Sequence, residues 1–392
     1  MKNKSEFINS RVMKNTNKLK VLELIRIEPG ITRSLISSIS GLNISTVSKI
    51  INDLIRRKAV VEKGIIHSRL GRHSKKLFLN KDFAKFLVLD LGVNSSTFAI
   101  GYFDTTFETI EEFETIKEPE KFFEMLNQKI KNDLVLESAA NTLTIMGIPG
   151  MVNYTHQKIL FAPNLRWNDI DVSKLLPLHK IYLENDSNLA VIAEQFQNTD
   201  KRSKPADFLY MFIREGIGGG IITNGTLYKG AFNSAGEIGH MKISDENDCF
   251  CGRTGCWETF ISISRVADEY EKLRGEKLKG NTSYEKFRNI CRLYEKGDEF
   301  AKKIFEKFAD KLAEGITNLV NILSPESIII GGEGVFIPDE ILNLVRGKVK
   351  SSVLWVNNGI NIIKSSLDQT NVIVKGAAIT ASRIISKEIL GI

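Results

Sequence analysis

Between residues 12 and 27 apolar side chains recur at helical spacing, with Leu19, Leu22 and Ile25 on one side, and Pro29-Gly30 ends the run. Thr32 stands where an N-cap belongs, so a second short helix is predicted through Leu35, Ile36 and Ile39, closed by the turn Gly41-Leu42-Asn43. A third helix is predicted from near Ile44. Its stripe of Ile44, Val47, Ile51 and Leu54 faces a core, while Ser45, Ser48, Lys49, Asn52 and Arg56 form the opposite face. Two extended runs, 60–63 and 75–79, flank a basic tip containing Arg69, Gly71, Arg72 and His73. Helix, turn, helix and basic hairpin in this order predict a winged helix-turn-helix over residues 1–80, with the polar face of the third helix free for DNA. Candidate DNA contacts are Thr32, Arg33, Ser45, Thr46, Ser48, Lys49 and Asn52, together with Arg69 and Arg72 of the wing, the latter suited to a narrow minor groove.

Beyond residue 80 the pattern changes to buried strands followed by helices. Residues 85–90 form an apolar run ending at Asp90, a glycine-containing turn follows, and a second strand is expected over 98–103. A strand over 143–148 ends in Pro149-Gly150, and one over 181–183 delivers Glu184-Asn185-Asp186 into a helix over 188–196. A second round has strands over 208–213 and 219–223 around Gly216–Gly220, then 327–330 running into Gly331-Gly332. Polar residues at strand ends followed by helices are how α/β folds build a ligand cleft. The expectation is two α/β lobes with the cleft between them. The first lobe covers 81–200 and is completed by a C-terminal helix (375–392) opened by Gly376-Ala-Ala; the second covers 201–374.

Charge sharpens this division. Residues 1–80 hold 17 Lys and Arg against 5 Asp and Glu, a net of +12, whereas the other 312 residues hold 37 against 42, a net of −5. A short basic module on an acidic body should seek a polyanion, double-stranded DNA first. A membrane surface is disfavoured because no helix opposes a large apolar face to a basic one. With 42% hydrophobic and 26% charged residues the chain has the composition of a folded protein, not a disordered or low-complexity one. Neither a secretory signal nor roughly 20 consecutive apolar residues occurs, so the cytoplasm is the expected compartment.

Three of the four cysteines fall within eight positions. Cys249, Cys251 and Cys256 with His240 supply three thiolates and one imidazole, a set suited to tetrahedral Zn²⁺, and Gly252 and Gly255 let the loop fold back. Four protein ligands leave no open position, so the expected ion is structural. Cys291, isolated in a helical stretch, reads as a small core residue.

The segments Gly71-Arg72 leading to Leu79-Asn80, Gly147-Ile-Pro-Gly150, Ala162-Pro-Asn-Leu-Arg-Trp167, Glu184-Asn-Asp186, Gly236-Glu-Ile-Gly-His240 and Cys249-Phe-Cys-Gly-Arg-Thr-Gly-Cys-Trp-Glu258 together resemble the ROK family of repressors and sugar kinases, specifically its transcriptional repressors. The resemblance implies a two-lobed, actin-like sugar-kinase body behind the DNA module. It places Asn185, Asp186, Glu237, His240 and Glu258 around a sugar, assisted by backbone near Gly150, with His240 giving one ring nitrogen to zinc and the other to a hydroxyl. Asn164 and Trp167 are weaker candidates. In a kinase of the family Asp186 is the base. The kinase turn Asp-x-Gly-Gly-Thr-Lys is here Asp90-Leu-Gly-Val-Asn-Ser95, and the second glycine-rich loop begins Arg214-Glu215, so the nucleotide site reads as degenerate. The expectation is a sugar-responsive repressor of carbohydrate-utilisation genes, with glucose or xylose as effector and not an enzyme, acting as a homodimer or tetramer on operator DNA. An ATP-dependent sugar kinase with an appended DNA module is the alternative.

Overall fold

The computed structural model describes residues 10–66, 74–153, 155–178, 180–197 and 207–391. The wing tip with Arg69 and Arg72 lies outside the described residues. In the first module, α1 (Ser10–Ile27), α2 (Arg33–Ser40) and α3 (Ile44–Arg56) precede the antiparallel pair β1 (Val60–Ile66) and β2 (Ser74–Leu79). Thr32 caps α2 by accepting from the Leu35 amide at 3.3 Å, and Asn43 caps α3 by accepting from Thr46 N at 2.8 Å. Gly41 ends α2 in the left-handed conformation, φ 72°. Val47, Ile51 and Leu54 are fully buried as expected, but Ile44 is exposed and Ile50 takes its place in the core. Ile44 opens the helix, where the chain has not yet turned toward α1 and α2.

The first lobe contains β3 (Lys85–Asp90), β4 (Ser95–Tyr102), β5 (Phe107–Glu114), α4 (Pro119–Asn132), α5 (Leu134–Thr142), β6 (Thr144–Ile148), β7 (Met151–Asn153), β8 (Lys158–Ala162), β9 (Trp167–Asp171), α6 (Val172–Leu175), β10 (Ile181–Asn185) and α7 (Asp186–Gln197). Its five-stranded sheet has the order β10-β6-β3-β4-β5, parallel across β10, β6 and β3, while β7-β8-β9 form a small separate sheet. The second strand starts at Ser95, three residues before its apolar stretch, because it pairs with β5, a Glu-rich edge strand whose exposed surface gives no apolar signal.

The second lobe runs through β11 (Phe208–Ile213), β12 (Ile217–Thr223), β13 (Thr226–Leu227), α8 (Glu258–Ile261), α9 (Ile263–Arg274), α10 (Ser283–Glu295), α11 (Glu299–Leu323), β14 (Ser327–Gly332), α12 (Asp339–Ser352) and β15 (Asn361–Lys364), with sheet order β13-β12-β11-β14-β15. The final helix α13 (Val372–Ile389) returns to pack on α7 and on β3, β4 and β6. Cys291 is buried on α10, 5% exposed, as a core residue. No helix of the described residues is long and apolar enough to cross a membrane.

Two contacts decide how these parts join. Gly376 of α13 lies so close to α7 that a Cβ there would stand 1.9 Å from the Leu189 carbonyl oxygen, so α7 and α13 meet backbone to backbone. At its other face α13 receives α1. Arg26, 3% exposed, donates to Ser382 Oγ at 3.2 Å, to Ser386 Oγ at 2.6 Å and to Glu23, while Arg383 donates to Glu23 at 2.6 Å. The planar fork of a guanidinium can reach these acceptors together; an ammonium cannot. Arg26→Ala is therefore expected to destabilise the protein by roughly 3 kcal/mol, with Arg26→Lys recovering little of it, measured by chemical denaturation of the full chain.

Candidate functional site

The cleft lies where β3, β6 and β10 of the first sheet end opposite the start of β12 and the segment 236–258. It is lined by Gly92, Gly150, Asn164, Asn185, Asp186, Arg214, Glu215, Glu237, His240 and Glu258, among others. All six sequence-derived candidates for the sugar thus meet at one place, from strand and helix ends about a hundred residues apart.

Each is held by its local backbone. Gly150 follows a tight turn in which its amide donates to the Ile148 carbonyl at 2.9 Å, and a Cβ there would fall 2.3 Å from Phe161 O. Its own carbonyl accepts from Asn185 Nδ2 at 3.1 Å, and Asn185 Oδ1 in turn accepts from the Asn188 amide at 3.1 Å. Asn185 is thereby fixed at both ends of its amide. The helix expected from Asn188 begins at Asp186 itself, which puts this carboxylate at a helix N-terminus, where it accepts from Ser187 N at 2.7 Å and Ser187 Oγ at 3.2 Å. Burial nevertheless raises the Asp186 pKa to about 6, opposed by Arg214 and the Ser187 bonds. Glu237 is pushed to about 7 by burial and by the charges of Asp186 and Glu258. Asp90 reaches about 7, chiefly through burial, and its Oδ1 has no hydrogen-bond partner. Asp186 and Glu237 line the cleft, and carboxyls that exchange protons near neutrality can accept from hydroxyls or donate to them, which suits a polyol.

The loop 240–256 carries the metal candidates. His240, Cys249, Cys251 and Cys256 bring one ligand atom each within 4.8 Å of all the others. Cys251 Sγ stands 3.6 Å from Cys256 Sγ, and His240 Nδ1 3.7 Å from Cys249 Sγ. Ligands about 2.3 Å (S) and about 2.0 Å (N) from a tetrahedral ion stand roughly 3.5–3.8 Å apart, so the cluster fits one metal ion. The loop is rigid: Gly255 has φ 80° with a Cβ position 1.7 Å from Ser244 O, and Trp257 is fully buried against Gly315 of α11 while its Nε1 donates to Lys311 O at 2.7 Å. Since Nδ1 faces the thiols, Nε2 is the nitrogen left for the cleft. Glu258 stands between the two places, its Oε1 2.9 Å from Cys249 Sγ and its Oε2 accepting from Ile217 N at 3.4 Å.

The glycine-rich run 216–220 serves packing. A Cβ on Gly218 would lie 1.9 Å from Ser187 Oγ, one on Gly220 2.4 Å from Val191, and one on Gly219 2.9 Å from Ile238, so β12 is pressed against α7 and the 236–238 turn. Gly331 is likewise filled, its Cβ position 1.8 Å from Tyr210 OH, and the Gly332 amide donates to Gln369 at 2.7 Å. Trp167 belongs to the core at 2% exposed, whereas Asn164 lines the cleft. Sequence reasoning gave no role to Arg214. Its guanidinium lies 5.1 Å from the Phe212 ring and 5.6 Å from the Tyr284 ring. Burial opposes its charge, but Tyr284, Asp90, Glu215 and Asp186 outweigh burial and raise its pKa. Its signal in sequence was a lone cation directly after a buried strand.

In the first module Ser45, Lys49, Asn52 and Arg56 are exposed along one side of α3. Thr32 is spent as a cap, and Arg33 donates to Asn52 Oδ1 at 2.9 Å and Glu62 at 2.8 Å, bracing α2 against α3 and β1.

A winged helix-turn-helix on a two-lobed sugar-kinase-like body defines the class of protein. Residues 86–384 match the family model described as ROK family, and the chain belongs to that family. It is 30% identical over 353 residues to the xylose repressor of Caldicellulosiruptor bescii, covering 86% of this chain and 88% of that one. The fold matches a crystal structure of a ROK family transcriptional regulator, homologue of Escherichia coli MLC, with TM-score 0.75 at 21% identity over 97% of this chain and 98% of that one. A ROK family glucokinase from Streptomyces griseus with glucose and AMPPNP matches with TM-score 0.61 at 20% identity, over 76% of this chain and 99% of that one.

The raised carboxyls predict a pH signature. A proton held by Asp90 stabilises the native state fully below 3.8, and this contribution is lost as pH rises through about 7. Thermal midpoints of the wild type are expected to fall between pH 4 and 7 and to level off above it, and those of Asp90→Asn to fall less over the same window.

Proposed function

We propose that this protein is a sugar-responsive transcriptional repressor whose effector is a free aldose, with xylose the first to test given the name of its relative. The observation that carries the reading is the continuous packing from cleft to DNA module: Asp186 opens α7, α7 packs on α13, and α13 holds α1 through Arg26. Sugar hydroxyls meet Asn185, Asp186, Glu237, His240 Nε2 and Glu258, with the Gly150 backbone at the rim. Zn²⁺ is held by His240 Nδ1, Cys249, Cys251 and Cys256 with no position open, so it fixes the loop and the His240 tautomer and takes no part in chemistry. Two copies read a palindromic operator with paired α3 helices. At the loop that the family resemblance assigns to phosphates, this chain has Arg214-Glu215 in place of the kinase pattern, which disfavours the kinase reading.

Four outcomes test this. Fluorescence anisotropy on DNA flanking the protein's own gene is expected to show D-xylose weakening binding by roughly 5- to 150-fold, a usual range for coupling between sites. Asp186→Ala should bind the DNA as the wild type does and ignore the sugar; no response to xylose, glucose or N-acetylglucosamine would sink the sensor, and ADP release with any of them would establish the kinase instead. Elemental analysis should find one zinc per chain, reduced in Cys251→Ser, with a lower thermal midpoint after chelation. The DNA affinity should fall steeply with salt, as counterion release by a +12 module requires.

A further inference from the structure

We propose that Glu215 is a positioning residue that ties the two lobes together across the mouth of the cleft. The proposal rests on the sugar-sensing reading for its consequence, but not for its geometry. The turn after β3 and the turn before β12 face each other, and each supplies one end of the tie. Glu215 Oε1 accepts from Asn94 Nδ2 of the first lobe at 3.0 Å. Its Oε2 accepts from the Tyr284 hydroxyl of α10 in the second lobe at 3.1 Å, and its carbonyl accepts from Ser264 Oγ of α9 at 3.2 Å. Both carboxylate oxygens are therefore engaged, one toward each lobe.

The neighbouring residue reinforces the arrangement. Arg214 is clamped by its backbone, its amide donating to Gly216 O at 2.9 Å and its carbonyl accepting from Ile263 N at 3.0 Å. Its guanidinium, beside the Phe212 and Tyr284 rings, is the cation next to Asp90 and Asp186 across the cleft. A charged acceptor with two neutral donors forms stronger hydrogen bonds than a neutral one, and partial burial limits their replacement by water. Glu215 is half-buried and Asn94 exposed, so the tie lies where it can open to admit a ligand and close behind it. Asp186 and Glu237 sit deeper on opposite walls, and their separation is set by how the lobes are held. Sugar affinity then depends on Glu215 without any contact between Glu215 and sugar.

Hydrogen–deuterium exchange on the full-length, zinc-loaded protein tests the tie without a ligand. Glu215→Ala is expected to speed exchange of residues 91–95 and 214–218 roughly tenfold, and Asn94→Ala to do the same at 214–218. Glu215→Gln, which can still accept from Asn94 but has lost the charge and one acceptor oxygen, should fall between the wild type and Glu215→Ala. Calorimetric titration with D-xylose should show each alanine variant binding roughly tenfold more weakly, with the double variant no weaker than Glu215→Ala, since both remove one interaction. Unchanged protection in Glu215→Ala, or losses that add in the double variant, would overturn the proposal. Failure of the wild type to bind any aldose would count against the sensor alone, because the exchange comparison decides the tie by itself.

Discussion

The close approach of α7 to its neighbours governs the rest of the molecule. On one side, Ser187 and Val191 press on β12 where Gly218 and Gly220 have no side chains; on the other, Leu189 meets α13 at Gly376. Three glycines thus allow a single helix to touch the second lobe's sheet and the C-terminal helix at backbone distance. Because packed interiors resist small displacements, such contacts transmit a shift at the N-terminus of α7 instead of absorbing it. That N-terminus is Asp186. The far end of the chain of contacts is Arg26 on α1, so the cleft and the DNA module are joined by packing rather than by a flexible linker.

The cleft itself is an electrostatic compromise. Asp90, Asp186 and Glu237 are brought together at the cost of raising their pKa values toward neutrality, and Arg214 is the cation that offsets them. Here the counter-charge is part of the chain, and the neighbouring Glu215 is already occupied by Asn94 and Tyr284. The metal cluster lies beside this region, and Glu258 touches both, so the loop 240–256 sets where two of the polar groups stand.

Much of this was legible in the order of residues. Apolar spacing placed the three helices and two wing strands, and Thr32 caps α2 as its type suggests, whereas Asn43, read as part of a turn, also caps α3. The metal cluster was legible because its ligands are close in sequence and chemically distinctive. Boundaries were less so. The Glu-rich strand β5 has almost no buried residue, and β4 begins early because it pairs with that edge. Gly216–Gly220 reads in sequence as the degenerate counterpart of a kinase phosphate loop, but glycine alone does not say what occupies the space beside it; the structure fills it with α7 and Ile238.

The sequence by itself determined the module order, the charge division, the candidate metal cluster and the polar residues delivered to strand ends, because each depends on local spacing or on residue type. Only the tertiary structure decided that Arg214 faces Asp90 and Asp186, that Glu215 reaches Asn94 and Tyr284, and that Arg26 is buried against Ser382 and Ser386. These partners are separated by about 30 to 360 positions, and no periodicity or motif encodes a pairing between them. It arises when the sheets and α7 set the distances.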